Sequence, residues 1–493
     1  MKKSIYILAL TVLAAACSLE EDMNNIVYPD SYVADEPQAR SVLNSCYSPL
    51  KNQYKQGYIQ AMEGTTDLAS SNSSSSKDAR LDITPASCGA GESFWQYGYV
   101  GVKNCNYAIY AIGRSGIDQE AKDTLLAEAK IMRAYYYYSL TSFFGDVPFY
   151  REHVGTQEKL AEVARMPRMS AVETRKALVE ELFECVPVLK QVKSSEIKMN
   201  YAGAAMGWML AAKMSMWNKD WDTALKALTR LEAIYGEDLS VYPISDIPFC
   251  RKNTPESIFE IQHTYTDGGL IYTGAYATIA MPYKRVDGTD TYTSNKVPIS
   301  YLGSQATTYR PMLPTSYFEK TVMPASSGDL RRNMTMRSEW EGNAFDKTYL
   351  GEKFWCPGMV ATYDSNNYKV FRYADAVLMM AECHFELGDD ARAVGYLNKV
   401  RLRAGLDEYV FSTRIKLREE IRRERARELF GEFQRRYDLV RWGIWYEQVM
   451  AYCTYDVVQQ NIRRCHEYYP IPDSQVLASG GVLDNKAYAE YGL

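Results

Sequence analysis

Histidine is scarce. The chain of 493 residues holds four: His153, His263, His384 and His466. Imidazole chemistry therefore has few candidates, although other groups can still act as acids and bases. The ten cysteines are widely spaced and form no C-x-x-C, which excludes a zinc-ribbon pattern and a small disulfide framework. Cys383-His384 and Cys465-His466 are adjacent pairs, and adjacent side chains on a helix do not converge on one ion. No metal site and no cofactor is expected. There is no G-x-S-x-G, H-E-x-x-H, Walker A or G-x-G-x-x-G motif. Gly89-Ala90-Gly91 is a fragment of the last, with Phe94 where its final glycine would stand. Excess positive charge is also missing. Lys and Arg number 56 against 61 Asp and Glu, a net charge of −5, so no nucleic-acid partner is expected. Beyond the first residues no run approaches the length of a membrane-spanning helix.

The N-terminus reads as an address. Lys2 and Lys3 precede a mostly apolar run from Ile5 to Ala16, which closes on Ala14-Ala15-Ala16 before Cys17. As a helix this run would span about 18 Å, short of the roughly 30 Å hydrocarbon core of a bilayer. Residues 1–16 are therefore expected to be a signal peptide. Small residues before a cysteine resemble a bacterial lipobox, with Leu13 four places ahead of the cysteine rather than three. Lipidation at Cys17 would tether the mature chain, residues 17–493, because each buried acyl CH2 contributes about 0.8 kcal/mol. The nine remaining cysteines are expected mostly as small buried hydrophobes, with room for one or two bridges in an exported protein.

Hydrophobic residues at 46% and charged residues at 24% suit a folded chain with a sizeable core. Tyrosine is abundant: 40, against 15 Phe and 8 Trp. Its flat face and hydroxyl suit sugar or peptide surfaces, yet any single one is first expected as a half-buried packing residue. Apolar spacings of three and four predict helices from Phe94-Trp95 onward, over 120–144 and over 171–189. Two helix–turn–helix pairs follow, 202–217 with 221–234 and 373–387 with 391–404, joined by Asn218-Lys219-Asp220 and Gly388-Asp389-Asp390. They resemble tetratricopeptide units, but about 170 residues separate them, so a helix-pair scaffold with long insertions fits better than a tandem array. The expected organisation is a helical half (17–241), a loop-rich insertion (242–368) and a helical C-terminal part (369–493). The insertion is rich in Tyr, Thr, Gly, Ser and Pro from Tyr265 to Tyr317, and Ser257-Ile258-Phe259-Glu260-Ile261 reads as a short strand. Ser70 to Ser76 reads as a polar loop.

Residues 421–443 are dense in charge. Arg422-Arg423-Glu424-Arg425-Ala426-Arg427-Glu428 alternates in sign, Glu419 and Arg423 are an i,i+4 pair, and Arg435 and Asp438 can meet on one face. Leu429, Phe430, Tyr437 and Leu439 supply a buried face. The stretch reads as charges that bridge helices, not as a catalytic constellation.

These motifs resemble the SusD/RagB family of surface glycan-binding lipoproteins. The likeness lies in Glu128-Ala129-Lys130 through the tyrosines to Phe144-Gly145-Asp146-Val147-Pro148, in Phe371-Arg372-Tyr373-Ala374-Asp375, in Leu397-Asn398-Lys399-Val400-Arg401, and above all in Glu424-Arg425, Glu428-Leu429, Asp438-Leu439 and Arg441-Trp442-Gly443. Tyr469-Pro470-Ile471-Pro472 and Asn485 resemble the family's C-terminal end. Gly431 and Phe433 depart from it, standing where the family usually has an aromatic and a glycine, and Gln434 replaces a common histidine. Ser18-Leu19-Glu20-Glu21-Asp22 resembles the surface-export signal of lipoproteins in the Bacteroides group.

The resemblance implies a mostly α, TPR-like scaffold with few short strands, lipid-anchored on the outer membrane. It implies capture of an oligosaccharide and delivery to a SusC-like TonB-dependent transporter, without catalysis. A peptide cargo on the same architecture is the alternative. A surface glycosidase would need two carboxylates about 5–5.5 Å or about 6.5–9.5 Å apart across a cleft. By position and chemistry, the expected ligand residues are Asp67, Arg80, Trp95 and Tyr97 from the first half, with Tyr272, Tyr283, Arg285, Tyr292 and Trp355 from the insertion.

Overall fold

The structure is a computed structural model that describes residues 33–71, 73–266, 269–281, 306–308 and 311–493. The expected signal peptide and Cys17 lie outside the described residues.

The first half is built on two long helices, α1 (Ala90–Gly113) and α2 (Gln119–Phe144). Asp118 starts α2 by accepting the N–H groups of Glu120 (3.0 Å) and Ala121 (3.4 Å), which would otherwise lack partners. Its last turns are buried all round, Tyr135, Tyr136, Tyr137 and Tyr138 included. Burial requires partners for the phenols: Tyr135 meets the Tyr54 hydroxyl, Tyr136 donates to the Cys46 carbonyl (2.5 Å) and Tyr137 to the Tyr150 carbonyl (2.8 Å). The two helices approach closely because Gly101 has no side chain. A Cβ there would stand 2.3 Å from the Tyr136 ring. The helix expected to 189 runs as α3 (Ala171–Cys185) and tightens to a 3₁₀ turn at Val186–Val188, where Pro187 removes a donor.

Both predicted helix pairs form: α4 (Ala204–Trp217) with α5 (Trp221–Tyr235), and α6 (Tyr373–Glu386) with α7 (Asp390–Arg403). The two turns work alike. Asp220 accepts the Thr223 N–H (3.1 Å) and Asp389 the Arg392 N–H (3.2 Å), each starting the second helix of its pair. Helix α5 packs against α6, so pairs far apart in sequence are neighbours in space. The mostly helical, TPR-like scaffold with few short strands is what the chain adopts.

Strands occur as four two-stranded antiparallel pairs among the described residues. β1 (Ala69–Ser71) pairs with β5 (Met312–Pro314); β2 (Ser257–Ile261) with β8 (Tyr368–Arg372); β3 (Thr264–Thr266) with β4 (Gly269–Tyr272); and β6 (Met336–Trp340) with β7 (Asn343–Leu350). Ser257 to Ile261 is thus the strand its sequence predicts. The β2–β8 pair ties the start and end of the insertion together. The β1–β5 pair corrects the polar-loop reading of Ser70 to Ser76, since Ser70 and Ser71 are buried in a strand. The insertion also has a second small core, in which Trp340, Trp355, Cys356 and Met359 pack together. The nine described cysteines are free thiols, eight buried and Cys250 exposed.

The charge-dense stretch is α8 (Arg414–Glu428), followed by α9 (Arg435–Arg441) and α10 (Trp445–Tyr452). Its charges do bridge elements. Arg372 on β8 reaches Glu432 (2.7 Å), Glu256 (2.7 Å) and Glu428 (2.9 Å), all buried. Arg331 joins Glu424 (2.8 Å) and Glu428 (2.7 Å), and Lys353 joins Glu432 (2.6 Å). The expected local pairs differ. Arg423 takes Glu420 (3.0 Å) instead of Glu419; Arg435 takes Asp67, and Asp438 takes Arg425 (2.8 Å) and Arg441 (2.8 Å). Buried carboxylates need the nearest guanidinium in three dimensions, whatever its spacing along the helix.

Phe433 has φ = +63°, a left-handed conformation that favours glycine. It is held by the buried Glu63 carboxylate, which accepts the Phe433 N–H (2.6 Å), and by packing against Tyr54, Tyr58 and Tyr276.

Candidate ligand-binding face

Three expected ligand residues belong to the interior, which corrects their reading. Asp67 is fully buried, with its two oxygens on Arg435 at 2.9 and 2.6 Å. Trp95 is buried against Tyr99 (4.9 Å between centroids) and edge-on to Phe144 (5.1 Å). Trp355 is buried beside Trp340, and its indole N–H donates to the Leu350 carbonyl (2.8 Å). Arg80 and Tyr97 remain partly exposed. Arg80 donates to the Ser74 carbonyl (3.0 Å) and lies 3.8 Å from Asp82, whereas Tyr97 has the Lys55 ammonium 5.7 Å from its ring. The two are engaged with different neighbours. Tyr272 ends strand β4. Tyr283, Arg285 and Tyr292 lie outside the described residues.

The structure assembles an aromatic face that these choices missed. Segment 67–71 anchors it from below. The Thr315 N–H donates to the Leu68 carbonyl (2.9 Å) and its hydroxyl to the Asp67 carbonyl (2.6 Å), which brings Tyr317 within reach of the charges of the Asp67–Arg435 pair. On the other side, the Thr454 N–H and hydroxyl donate to Ser70 Oγ (3.1 and 3.3 Å), which fixes Tyr452 at the end of α10. The two tyrosines stack with centroids 3.9 Å apart and planes 16° from parallel. Both are half-buried. Burial first, then the Asp67 charge, raises the Tyr317 phenol pKa against the pull of Arg435, so this hydroxyl stays protonated and can donate.

Arg435 continues the face. Its guanidinium lies 5.6 Å from the centroid of Trp442, a half-exposed ring whose N–H donates to Glu382 (2.7 Å). Tyr317 and Tyr452 thus present partly open rings beside buried, fixed charges, whereas the Trp442 ring lies under the guanidiniums of Arg422 (4.7 Å), Arg441 (5.0 Å) and Arg435. Flat rings of this kind stack on the apolar faces of sugars, and hydroxyl, amide and guanidinium groups at their edges hydrogen-bond the sugar hydroxyls. Tyr317 carried a sequence signal, as the last tyrosine of the insertion's series. Tyr452 carried none, because no spacing relates it to a residue 135 positions earlier.

The chain is thus a scaffold of helix pairs that carries a stacked tyrosine pair between its insertion and its C-terminal helices. The comparisons identify the family. A family model described as "SusD family" matches residues 276–488, and one described as "Starch-binding associating with outer membrane" matches residues 26–182. The chain belongs to the SusD/RagB family. Among curated relatives, SusD-like protein P25 of Formosa agariphila is 25% identical, over 95% of each chain. The starch-binding protein SusD of Bacteroides thetaiotaomicron is 31% identical over 26% of this chain and 23% of its own length. Among solved structures, surface glycan-binding protein A from Bacteroides thetaiotaomicron in complex with laminarihexaose superposes with a TM-score of 0.70 at 20% identity, over 92% of this chain and 99% of that one. A SusD superfamily protein from Bacteroides vulgatus gives 0.71 at 19%, over 91% and 98%. At these identities the structural likeness establishes the fold.

Proposed function

We propose that this chain captures an oligosaccharide at the cell surface, tethered to the outer membrane through a lipid on Cys17, and passes it uncleaved to a SusC-like TonB-dependent transporter. The observation that carries this reading is the stacked, half-buried pair Tyr317–Tyr452, with Trp442 also half-buried, in a member of this family. Relatives named for binding starch and glycans support the ligand class, and the family description that speaks of the outer membrane supports the location. Binding without catalysis is supported by the use of Asp67, whose two oxygens are held by Arg435 beneath the face. Arg80 and Tyr97 are proposed as outlying contacts, together with the insertion residues Tyr272, Tyr283, Arg285 and Tyr292.

Calorimetric titration of residues 18–493 against neutral polysaccharides and peptide digests tests this. Saturable binding to a glycan that is recovered intact is expected. Tyr452→Ala or Tyr317→Ala should weaken it roughly tenfold, the equivalent of about 1.4 kcal/mol. Binding to peptides alone would replace the cargo, and shortened glycan products would refute the non-catalytic reading.

A further inference from the structure

Arg422 stands apart from its neighbours on α8. Arg423, Arg425 and Arg427 each hold a carboxylate, but Arg422 makes no ion pair among the described residues. Its guanidinium lies instead over the Trp442 ring, 4.7 Å from the centroid. The nearby carboxylate, Glu382, is already committed: its oxygens take both terminal nitrogens of Arg441 (2.6 and 2.6 Å) and the Trp442 N–H. Arg435, whose side chain also donates to the Arg422 carbonyl (3.1 Å), is committed to Asp67. Burial, followed by the like charges of Arg418, Arg441 and Arg435 acting against Glu382, lowers the Arg422 pKa. A half-buried guanidinium among arginines is a positive charge without its counter-ion, offset only in part by the indole face.

Beside it a shallow depression of about 10 Å³, open to solvent, lies between α6 and α8, lined by Glu382, Phe385, Glu386, Arg418, Ile421 and Arg422. Glu386 and Arg418 are exposed at its rim. Arg435 relates Trp442 to the tyrosine pair: its guanidinium is 5.6 Å from the Trp442 centroid, and its charge is felt by the Tyr317 phenol. The guanidinium fork matches the paired oxygens of a carboxylate or sulfate in a way that sugar hydroxyls do not.

We propose that Arg422, seated on Trp442, is the subsite for an anionic substituent of the captured glycan, a uronate carboxylate or a sulfate ester. This rests on the glycan-capture reading and narrows it to acidic glycans.

The test is titration of residues 18–493 and of Arg422→Gln and Arg422→Lys at low salt. The ligands are polygalacturonate, a sulfated galactan and a neutral β-glucan. An acidic polymer should bind, the carboxylate and sulfate arms telling the two groups apart. Binding should weaken with added salt. Arg422→Gln should weaken it roughly ten- to a hundredfold, the range of one charge-assisted contact, and Arg422→Lys should restore part of the loss. Arg422→Gln should keep the thermal midpoint of the parent, since it breaks no ion pair, so lost binding cannot be ascribed to unfolding. Neutral-glycan binding alone would overturn this inference and leave capture standing. Acidic binding indifferent to Arg422→Gln would overturn the subsite. Binding to none of the three would overturn the inference for acidic glycans and count against capture itself.

Discussion

Replacing Arg372 by methionine should unlock the insertion from the C-terminal helices. The guanidinium is fully buried and is shared by Glu256, Glu428 and Glu432, with a further bond to the Glu428 carbonyl (3.1 Å). Its loss leaves three buried carboxylates to Arg331, Arg403 and Lys353. Breaking a buried pair by removing one partner costs about 3–5 kcal/mol. Unfolding entropy of about 2.1 cal/mol/K per residue makes the midpoint of so long a chain insensitive, near 1 °C per kcal/mol, so a fall of about 3–5 °C is expected. Hydrogen exchange gives the sharper assay: amides of β2, β8 and the end of α8 should lose protection first, because Arg372 joins those elements. A midpoint within 1 °C of the parent, with exchange unchanged in β2 and β8, would refute the view that this network holds the insertion in place.

Three further outcomes follow from the same geometry. Gly101→Ala places a methyl group against the Tyr136 ring and should cost about 1–3 kcal/mol in denaturant titration, the range for overpacking a close contact. Burial, opposed by the Phe433 N–H and Lys353, raises the Glu63 pKa to about 7. The folded state therefore binds this proton more tightly than the unfolded state. Its stabilising contribution is complete below the unfolded value near 4.5 and disappears as pH rises through about 7, so Glu63→Gln should flatten the stability profile between those limits. Glu428 and Asp438, held low by arginines against the effect of burial, act in the opposite sense and lose their contribution only as pH falls below the ordinary carboxylate range. Finally, a maleimide should modify Cys250 first among the nine described thiols, followed by mass spectrometry, while Cys46, Cys105 and Cys383 react only on unfolding.

Local signals were legible wherever the structure depends on local chemistry. The α2 helix, its stop at Gly145, both helix-pair turns and strand β2 follow from periodicity and from residues such as Asp220 and Gly388. The β6–β7 hairpin could also have been read: Glu341-Gly342, both with positive φ, is a two-residue turn between its strands. Partners chosen across the fold were not legible. Asp67 was expected by position as a ligand contact, yet its partner Arg435 is 368 residues away. Trp95 and Trp355 looked like sugar platforms, because an indole gives the same sequence signal in a core as on a surface. The Tyr317–Tyr452 stack depends on four hydrogen bonds from Thr315 and Thr454 to segment 67–71, and no pattern within either segment encodes them.

The central claim is that the tyrosine–tryptophan face is where glycan is held. Hydrogen exchange of residues 18–493, with and without a glycan that binds by calorimetry, tests it directly. New protection is expected in segments 311–318 and 442–455. Saturating glycan that protects other segments and leaves these two unchanged would contradict it.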